Sequence, residues 1–165
     1  MKKIELAREL INDNINLFSC PICQEKMYIN ELGSLKCIKN HNFDISKKGY
    51  VNLLTTKATQ SYSKSLFEAR KKASELGFFN PLIEKIIEVI NNYHKNQVSI
   101  LDAGCGEASH IYGIKELLQN NNNTYIGIDI SKDGIHIASQ NKGIILCVAD
   151  LAKLPFQDKS FDIIL

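Results

Sequence analysis

The stretch that decides the fold is an apolar segment running into a short acidic loop, Val98-Ser99-Ile100-Leu101-Asp102-Ala103-Gly104-Cys105-Gly106-Glu107. Gly104 and Gly106 let the backbone turn sharply and lie close to a ligand, as in dinucleotide-binding folds. A pyrophosphate site would favour a third glycine where Ser109 stands and no negative charge nearby, whereas Asp102 and Glu107 border this loop. Carboxylates favour a cationic ligand, and S-adenosylmethionine carries a sulfonium and an ammonium group. We therefore predict a loop for this methyl donor, with Asp102 holding its amine, directly or through water, and the loop backbone holding its carboxylate.

Two further apolar segments bring acids to the same edge of the predicted sheet. Residues 124–130 contain Asp129, which follows Gly106 by 23 residues, about the interval that brings an acid to a ribose in a doubly wound sheet. We expect the Asp129 carboxylate to bind both ribose hydroxyls. Residues 144–149 precede Asp150, which would accept a hydrogen bond from the adenine amino group. Either acid alone could simply cap the helix that follows, but three acids in register favour a ligand site.

The charge of the chain is unevenly distributed. Of its 165 residues 44% are apolar, enough for a core, and the formal net charge is +2. Residues 1–80 hold 13 Lys and Arg against 8 Asp and Glu, whereas residues 81–165 hold 7 against 10. This split favours a front half that meets a polyanion, although solvated lysines alone could produce it. Because no secretory signal or membrane span is recognisable, we predict a cytoplasmic protein with no membrane partner.

Three of the five cysteines lie close together near the N-terminus and predict a metal site. Cys20 and Cys23 form a short knuckle, and Cys37 with His41 supplies a second pair after 13 intervening residues. Two such pairs can close a tetrahedron around Zn²⁺ and leave no position for water, so we expect a structural rather than a catalytic metal. Short strands on either side of residues 31–33 would make the module a small zinc ribbon. The competing interpretation is unrelated cysteines beside a surface histidine.

Strands and helices alternate from residue 98 onward. Alternation of this kind predicts a parallel sheet wrapped by helices. We expect a zinc-binding module over residues 1–54, a linker and basic helix over residues 55–80, and the N-terminal half of a cofactor-binding domain over residues 81–165.

The motifs together resemble those of the RlmA family of large-subunit ribosomal RNA guanine methyltransferases, over about residues 17–165. The resemblance rests on Cys20-x-x-Cys23, Cys37-x-x-x-His41, Phe43-Asp44, Lys48-Gly49-Tyr50-Val51-Asn52-Leu53-Leu54 and Asp102-x-Gly104-Cys105-Gly106-Glu107. It implies an α/β protein with a Rossmann-like class I methyltransferase sheet and a small N-terminal zinc ribbon. The chain ends at a segment resembling the fourth strand of a seven-stranded sheet, so we expect the sheet to be incomplete and the chain to be a fragment.

The resemblance also implies roles for individual residues. Cys20, Cys23, Cys37 and His41 would be the metal ligands, and Gly106 with Glu107 would contact the cofactor. Phe79 stands where the family has a cofactor-contacting tyrosine, so stacking is retained and a hydrogen bond is lost. The family tends to have Gly-Tyr-Tyr after the loop glutamate, whereas this chain has Ala108-Ser109-His110.

By this likeness the intact protein is an S-adenosylmethionine-dependent methyltransferase acting on a guanine ring nitrogen, the rRNA N1 position, in a hairpin of the large subunit. Lysines of the zinc module, including Lys36, Lys39, Lys47 and Lys48, would bind RNA phosphates. We identify no catalytic residue and no general base, and a homodimer is left open. The alternatives are a small-molecule or protein methyltransferase with a structural zinc module, and a non-catalytic protein that binds zinc and cofactor.

Overall fold

The computed structural model describes residues 1–56, 62–92, 97–118 and 122–165. Five α-helices and eight strands lie within these ranges, and no helix there is both long and apolar enough to cross a lipid bilayer. The helices are α1 (Lys3–Asp13), α2 (Lys64–Glu75), α3 (Asn80–Asn91), α4 (Ser109–Leu118) and α5 (Lys132–Ala138). The strands are β1 (Met27–Ile29), β2 (Leu35–Cys37), β3 (Asn42–Phe43), β4 (Val51–Asn52), β5 (Ser99–Ala103), β6 (Thr124–Asp129), β7 (Ile145–Val148) and β8 (Ile163–Ile164).

Five parallel strands form the main sheet in the order β4-β7-β6-β5-β8. The central strands are apolar on both faces, and every residue of β7 is buried, as expected for a parallel sheet covered on two sides. Helix α4 connects β5 to β6, and helix α5 connects β6 to β7. These strands therefore run in the same direction, and their carboxyl ends lie at one edge of the sheet. The predicted class I methyltransferase fold is confirmed.

One face of the sheet is covered by α3, α4 and α5. Helix α3 begins with Pro81 in its first turn, where the missing N–H costs nothing, and buries Ile83 and Ile90. Helix α4 buries Ile111 and Ile114 completely. These side chains form one apolar cluster with the strand residues that face them, so the alternation of strands and helices in the sequence is satisfied by packing on this side.

The N-terminal segment, which holds both predicted ligand pairs, builds a small antiparallel sheet. Strand β1 pairs with β2 in the register Met27↔Cys37 and Ile29↔Leu35, and β3 adds to the other edge of β2. The predicted ribbon hairpin is therefore present, and β3 is a third strand that sequence reasoning did not separate.

This N-terminal sheet and α1 cover the second face of the main sheet. Ser19 donates its backbone N–H to Pro155 O at 3.0 Å, and its buried hydroxyl donates to Phe156 O at 2.9 Å. The Phe18 and Phe156 rings pack with their centroids 5.3 Å apart. Apolar residues of both parts, among them Leu35 and Ile126, belong to a single buried cluster.

Strand β4 is an addition to the main sheet that sequence reasoning did not predict. Val51 pairs in register with Cys147 and Asn52 with Val148, so the edge of the sheet comes from the segment directly after the ribbon. The division into residues 1–54, 55–80 and 81–165 stays a prediction, and part of its linker, residues 57–61, lies outside the described ranges.

Candidate cofactor site and metal centre

The acidic loop lies at the carboxyl end of β5 and is tied to the neighbouring strand β6. The backbone N–H groups of Gly104 and Cys105 both donate to Ile128 O, at 2.8 and 2.9 Å. Gly104 has φ +93° and Gly106 has φ +57°, in the left-handed region that favours glycine. A Cβ built on Gly104 would meet no atom within 4 Å, so the backbone at this point faces open space.

Asp129, the last residue of β6, holds the loop in place. Its Oδ2 accepts the Gly106 backbone N–H at 2.8 Å, and its Oδ1 accepts the Ser131 N–H at 2.7 Å. Each carboxylate oxygen has a second lone pair, so these bonds are compatible with a ligand hydroxyl on the outer side. The structure brings Asp129 to the predicted edge, and its ribose contact stays a prediction.

Asp102 and Glu107 are the two buried acids of the site. Asp102 is 8% exposed and Glu107 is 3% exposed, and each has a buried carboxylate oxygen without a hydrogen-bond partner among the described residues. Burial, aided by the negative charges of Asp129 and Glu107, raises the pKa of Asp102 to about 6. Unpartnered buried carboxylates are costly, and a cationic ligand would relieve that cost. The Asp102 and Glu107 carboxylates therefore fit the ammonium and sulfonium groups of the predicted cofactor.

Arg70 of α2 lies beside the acidic loop. Its Nε is 3.4 Å from Glu107 Oε2, an ion pair whose geometry is not that of a hydrogen bond. Phe67, one turn earlier in α2, is 2% exposed, and its Cε1 lies 3.2 Å from the position of a Cβ built on Gly106. Helix α2 is thus packed directly onto the loop. The sequence predicts a basic helix here but does not indicate that it belongs to the site.

A cavity of about 430 Å³ opens between α2 and the carboxyl edge of the sheet. Asp150 lies at its rim, two residues beyond β7, and its Oδ1 accepts the Ala152 N–H at 2.9 Å. It therefore caps the turn that follows, the alternative that the sequence left open, while facing the cavity; its adenine contact stays a prediction. The cavity is lined by Tyr62, Leu66, Phe67, Arg70, Gly104, Asp129, Ile130, Asp150 and Leu151.

Phe79, the remaining predicted cofactor contact, lies beside the loop but not among the residues that line the cavity. Its ring packs edge-on against His110 with centroids 4.8 Å apart. His110 follows the loop in the first turn of α4, and its buried Nε2 has no hydrogen-bond partner among the described residues. Burial, together with the positive charge of Arg70, lowers the pKa of His110. The cofactor contact of Phe79 stays a prediction.

The four predicted metal ligands converge on one point. The Sγ atoms of Cys20, Cys23 and Cys37 lie 3.5, 3.3 and 3.4 Å from His41 Nδ1, and all four ligand atoms lie within 4.8 Å of one another. Tetrahedral Zn²⁺ with bonds of about 2.0 to 2.3 Å separates its ligands by roughly 3.5 to 3.8 Å, close to these distances. Three thiols and one imidazole, half of them buried, form a closed set that fits a structural zinc ion.

Comparison with known proteins identifies the chain's relatives. The model of the RlmA N-terminal zinc ribbon matches residues 18–62, and a methyltransferase-domain model matches residues 94–165. The chain is 40% identical over 164 residues to the Bacillus subtilis protein named "Putative 23S rRNA (guanine-N(1)-)-methyltransferase YxjB". The chain therefore joins an RlmA-type zinc ribbon to a methyltransferase domain. The match covers 92% of this chain and 56% of the Bacillus protein, so the chain spans about half the length of that relative.

Two more distant proteins are similar in part. A Micromonospora griseorubida protein named "Putative 23S rRNA (guanine-N(1)-)-methyltransferase" is 23% identical over 141 residues, which cover 73% of this chain and 46% of that protein. A crystal structure from Methanococcus maripaludis, titled as that of "a putative s-adenosyl-l-methionine-dependent methyltransferase", also aligns with this chain. The TM-score is 0.54 and the identity 19%, over 67% of this chain and 52% of that one. The latter likeness concerns the fold alone. The predicted RlmA-type zinc ribbon and the predicted methyltransferase domain are both confirmed.

Proposed function

We propose that the complete protein transfers a methyl group from S-adenosylmethionine to N1 of a guanine in 23S ribosomal RNA. The observation that carries this proposal is the combination, in one chain, of an RlmA zinc ribbon with a glycine loop whose buried acids face an open cavity. The name of the Bacillus subtilis relative supports the choice of base and of ring position.

The residues at the carboxyl edge would hold the methyl donor, which supplies an electrophilic methyl group when bound. In this proposal Asp102 binds the amine, Asp129 binds the ribose hydroxyls and Asp150 binds the adenine amino group. Glu107 with the backbone of Gly104 and Gly106 borders the amino acid part of the donor, and Phe79 packs beside it. The chain's own task in the reaction is to align the guanine nitrogen and to keep water out. No described residue is assigned as the base that takes the N1 proton.

The zinc ribbon would contact RNA through its lysines. Lys47 and Lys48 are exposed, and so is Lys39, whose Nζ pairs with Glu25 at 3.0 Å. The Lys48 Nζ lies 3.0 Å from His136 Nε2, so this lysine bridges the ribbon segment and α5. Phosphate binding by such a set predicts an affinity that falls steeply with added salt. An RNA substrate would also place the protein in the cytoplasm, and a homodimer of the complete protein stays a prediction.

The test is methylation of protein-free 23S rRNA by the complete protein with S-adenosylmethionine carrying a labelled methyl group. Digestion to nucleosides and mass spectrometry should detect labelled 1-methylguanosine, and reverse transcription should stop at the modified base because the methyl group blocks pairing. Asp129→Asn should reduce the label strongly, whereas Asp158→Asn, on an exposed turn, should not. Label in another nucleoside would refute the base assignment. Label in a protein or metabolite alone would favour the small-molecule or protein methyltransferase, and no turnover with intact cofactor binding would favour a non-catalytic protein.

A further inference from the structure

We infer that Arg70 is a carboxylate-binding residue of the cofactor cavity, pairing with the α-carboxylate of the donor's amino acid part while Asp102 takes the ammonium group. This inference rests on the proposed function, because it assigns a subsite within the same cavity. It adds a side chain to a role that we predicted from the sequence for the loop backbone alone.

The position of Arg70 is fixed by the packing of α2. Phe67 is buried against the loop at Gly106, and Arg70 lies one helical turn further along the same face. Its Nη1 is 3.8 Å from the position of a Cβ built on Gly106, so the guanidinium lies against the glycine loop. Arg70 also lines the cavity together with Gly104, where the backbone faces open space.

The charged residues around the cavity are mostly acidic, so the donor's carboxylate requires a cation to offset their repulsion. Asp129 and Asp150 line the cavity, and Asp102 and Glu107 are buried beneath the loop. These acids suit the sulfonium and ammonium groups of the donor, but they repel its carboxylate. Among the described residues that line the cavity, Arg70 alone carries a positive charge. The amino acid end of the donor carries both an ammonium and a carboxylate group. Among the described residues that line the cavity, Arg70 is therefore the one counter-ion for that carboxylate.

The ion pair with Glu107 leaves Arg70 able to bind a second carboxylate. The Arg70 Nε lies 3.4 Å from Glu107 Oε2, and the Arg70 side chain is 39% exposed while that of Glu107 is 1% exposed. A guanidinium has five N–H donors in a planar fork and can hold two carboxylates on different edges. Glu107 would then orient the fork, and the η nitrogens would face the ligand. Lysine, a compact charge with a flexible stem, could not reproduce both contacts.

The experiment compares two ligands that differ only at the amino acid end. Calorimetry on the complete protein would measure S-adenosylhomocysteine, which has the carboxylate, and 5′-methylthioadenosine, which lacks the amino acid part. Arg70→Gln should weaken S-adenosylhomocysteine binding about 10- to 100-fold, the range for a lost charge-assisted bond, and leave 5′-methylthioadenosine within about twofold. Arg70→Lys should fall between. The control is Lys72→Gln, which removes an exposed charge from the same helix and should change neither affinity.

Each other outcome overturns the inference in a distinguishable way. An equal loss for both ligands would mean that Arg70 only supports the fold of the loop, and no loss for either would mean that the carboxylate binds elsewhere. Both results leave the proposed function standing. If the wild-type protein binds neither ligand, the proposed function fails and the subsite fails with it. Retained 5′-methylthioadenosine binding also reports that the Arg70→Gln variant is folded.

Discussion

The substitution Asp102→Asn should make the ligand-free protein less sensitive to pH while it weakens cofactor binding. The Asp102 carboxyl is 8% exposed, and burial, aided by two nearby acids, raises its pKa from 3.8 to about 6. The folded state therefore holds this proton more tightly than the unfolded chain does. As pH rises through 6, the protein must either ionise a buried group or unfold, so the stability associated with the neutral form is lost.

The expected size follows from the shift. At about 1.4 kcal/mol per pKa unit, a rise of roughly two units corresponds to about 3 kcal/mol of unfolding free energy, fully present below about pH 3 and lost by about pH 7. Asparagine has no charge to bury, so the stability of the variant relative to wild type should increase by about this amount between about pH 3 and about pH 7. Its absolute stability also depends on whether its amide finds a hydrogen-bond partner, which is why the pH dependence is the quantity to measure.

The assay is urea unfolding of the zinc-loaded, ligand-free protein at a series of pH values. Asp158→Asn removes the same charge from an exposed turn and should run parallel to wild type. Calorimetry at pH 7.5 on the same samples should find S-adenosylmethionine bound at least tenfold more weakly by Asp102→Asn, because the counter-charge for the ammonium group is gone. Parallel unfolding curves for Asp102→Asn and wild type across this range would refute the account of a strained buried carboxylate.

Three further substitutions probe the metal centre, the loop and the helix above it. Cys37→Ser should lower the zinc content measured by atomic absorption and lower the melting temperature, because a structural metal contributes folding energy; Cys147→Ser, in β7, should keep its zinc. Equal zinc in both variants would contradict the ligand assignment. Gly104→Ala places a Cβ in open space at φ +93°, so it should cost about 1 to 2 kcal/mol in urea unfolding and weaken cofactor binding measured by calorimetry; unchanged affinity would mean that the ligand does not approach this backbone. Phe67→Ala removes a ring that is 2% exposed and should cost about 3 to 5 kcal/mol in urea unfolding, whereas a loss below 1 kcal/mol would mean that α2 does not anchor on the loop.

The parts of the fold that the sequence predicted correctly are those with a local pattern. Apolar runs ending in acids predicted β5, β6 and β7, because a parallel sheet buries both faces of its strands. The paired cysteines and histidine predicted the metal centre because tetrahedral coordination demands short ligand spacings.

The parts that the sequence did not predict depend on contacts between distant segments. Strand β4 is two residues long, and nothing in Val51-Asn52 indicates that it pairs with β7. Arg70 was part of a basic helix, and its proximity to Glu107 depends on how α2 packs rather than on spacing. Asp150 illustrates a residue whose two candidate roles are both compatible with its place, since it caps a turn and faces the cavity.

The zinc ribbon and the cofactor sheet share one buried cluster, in which Cys20 and Cys37 are continuous with Leu101 of the strand that leads into the acidic loop. A metal-binding segment built this way cannot act as a swinging arm on a flexible tether. In the proposed function, RNA bound by the ribbon would instead lie at a fixed distance from the cofactor cavity. The choice of the methylated nucleotide would then depend on the length of RNA between the zinc ribbon and the cavity as much as on the bases themselves.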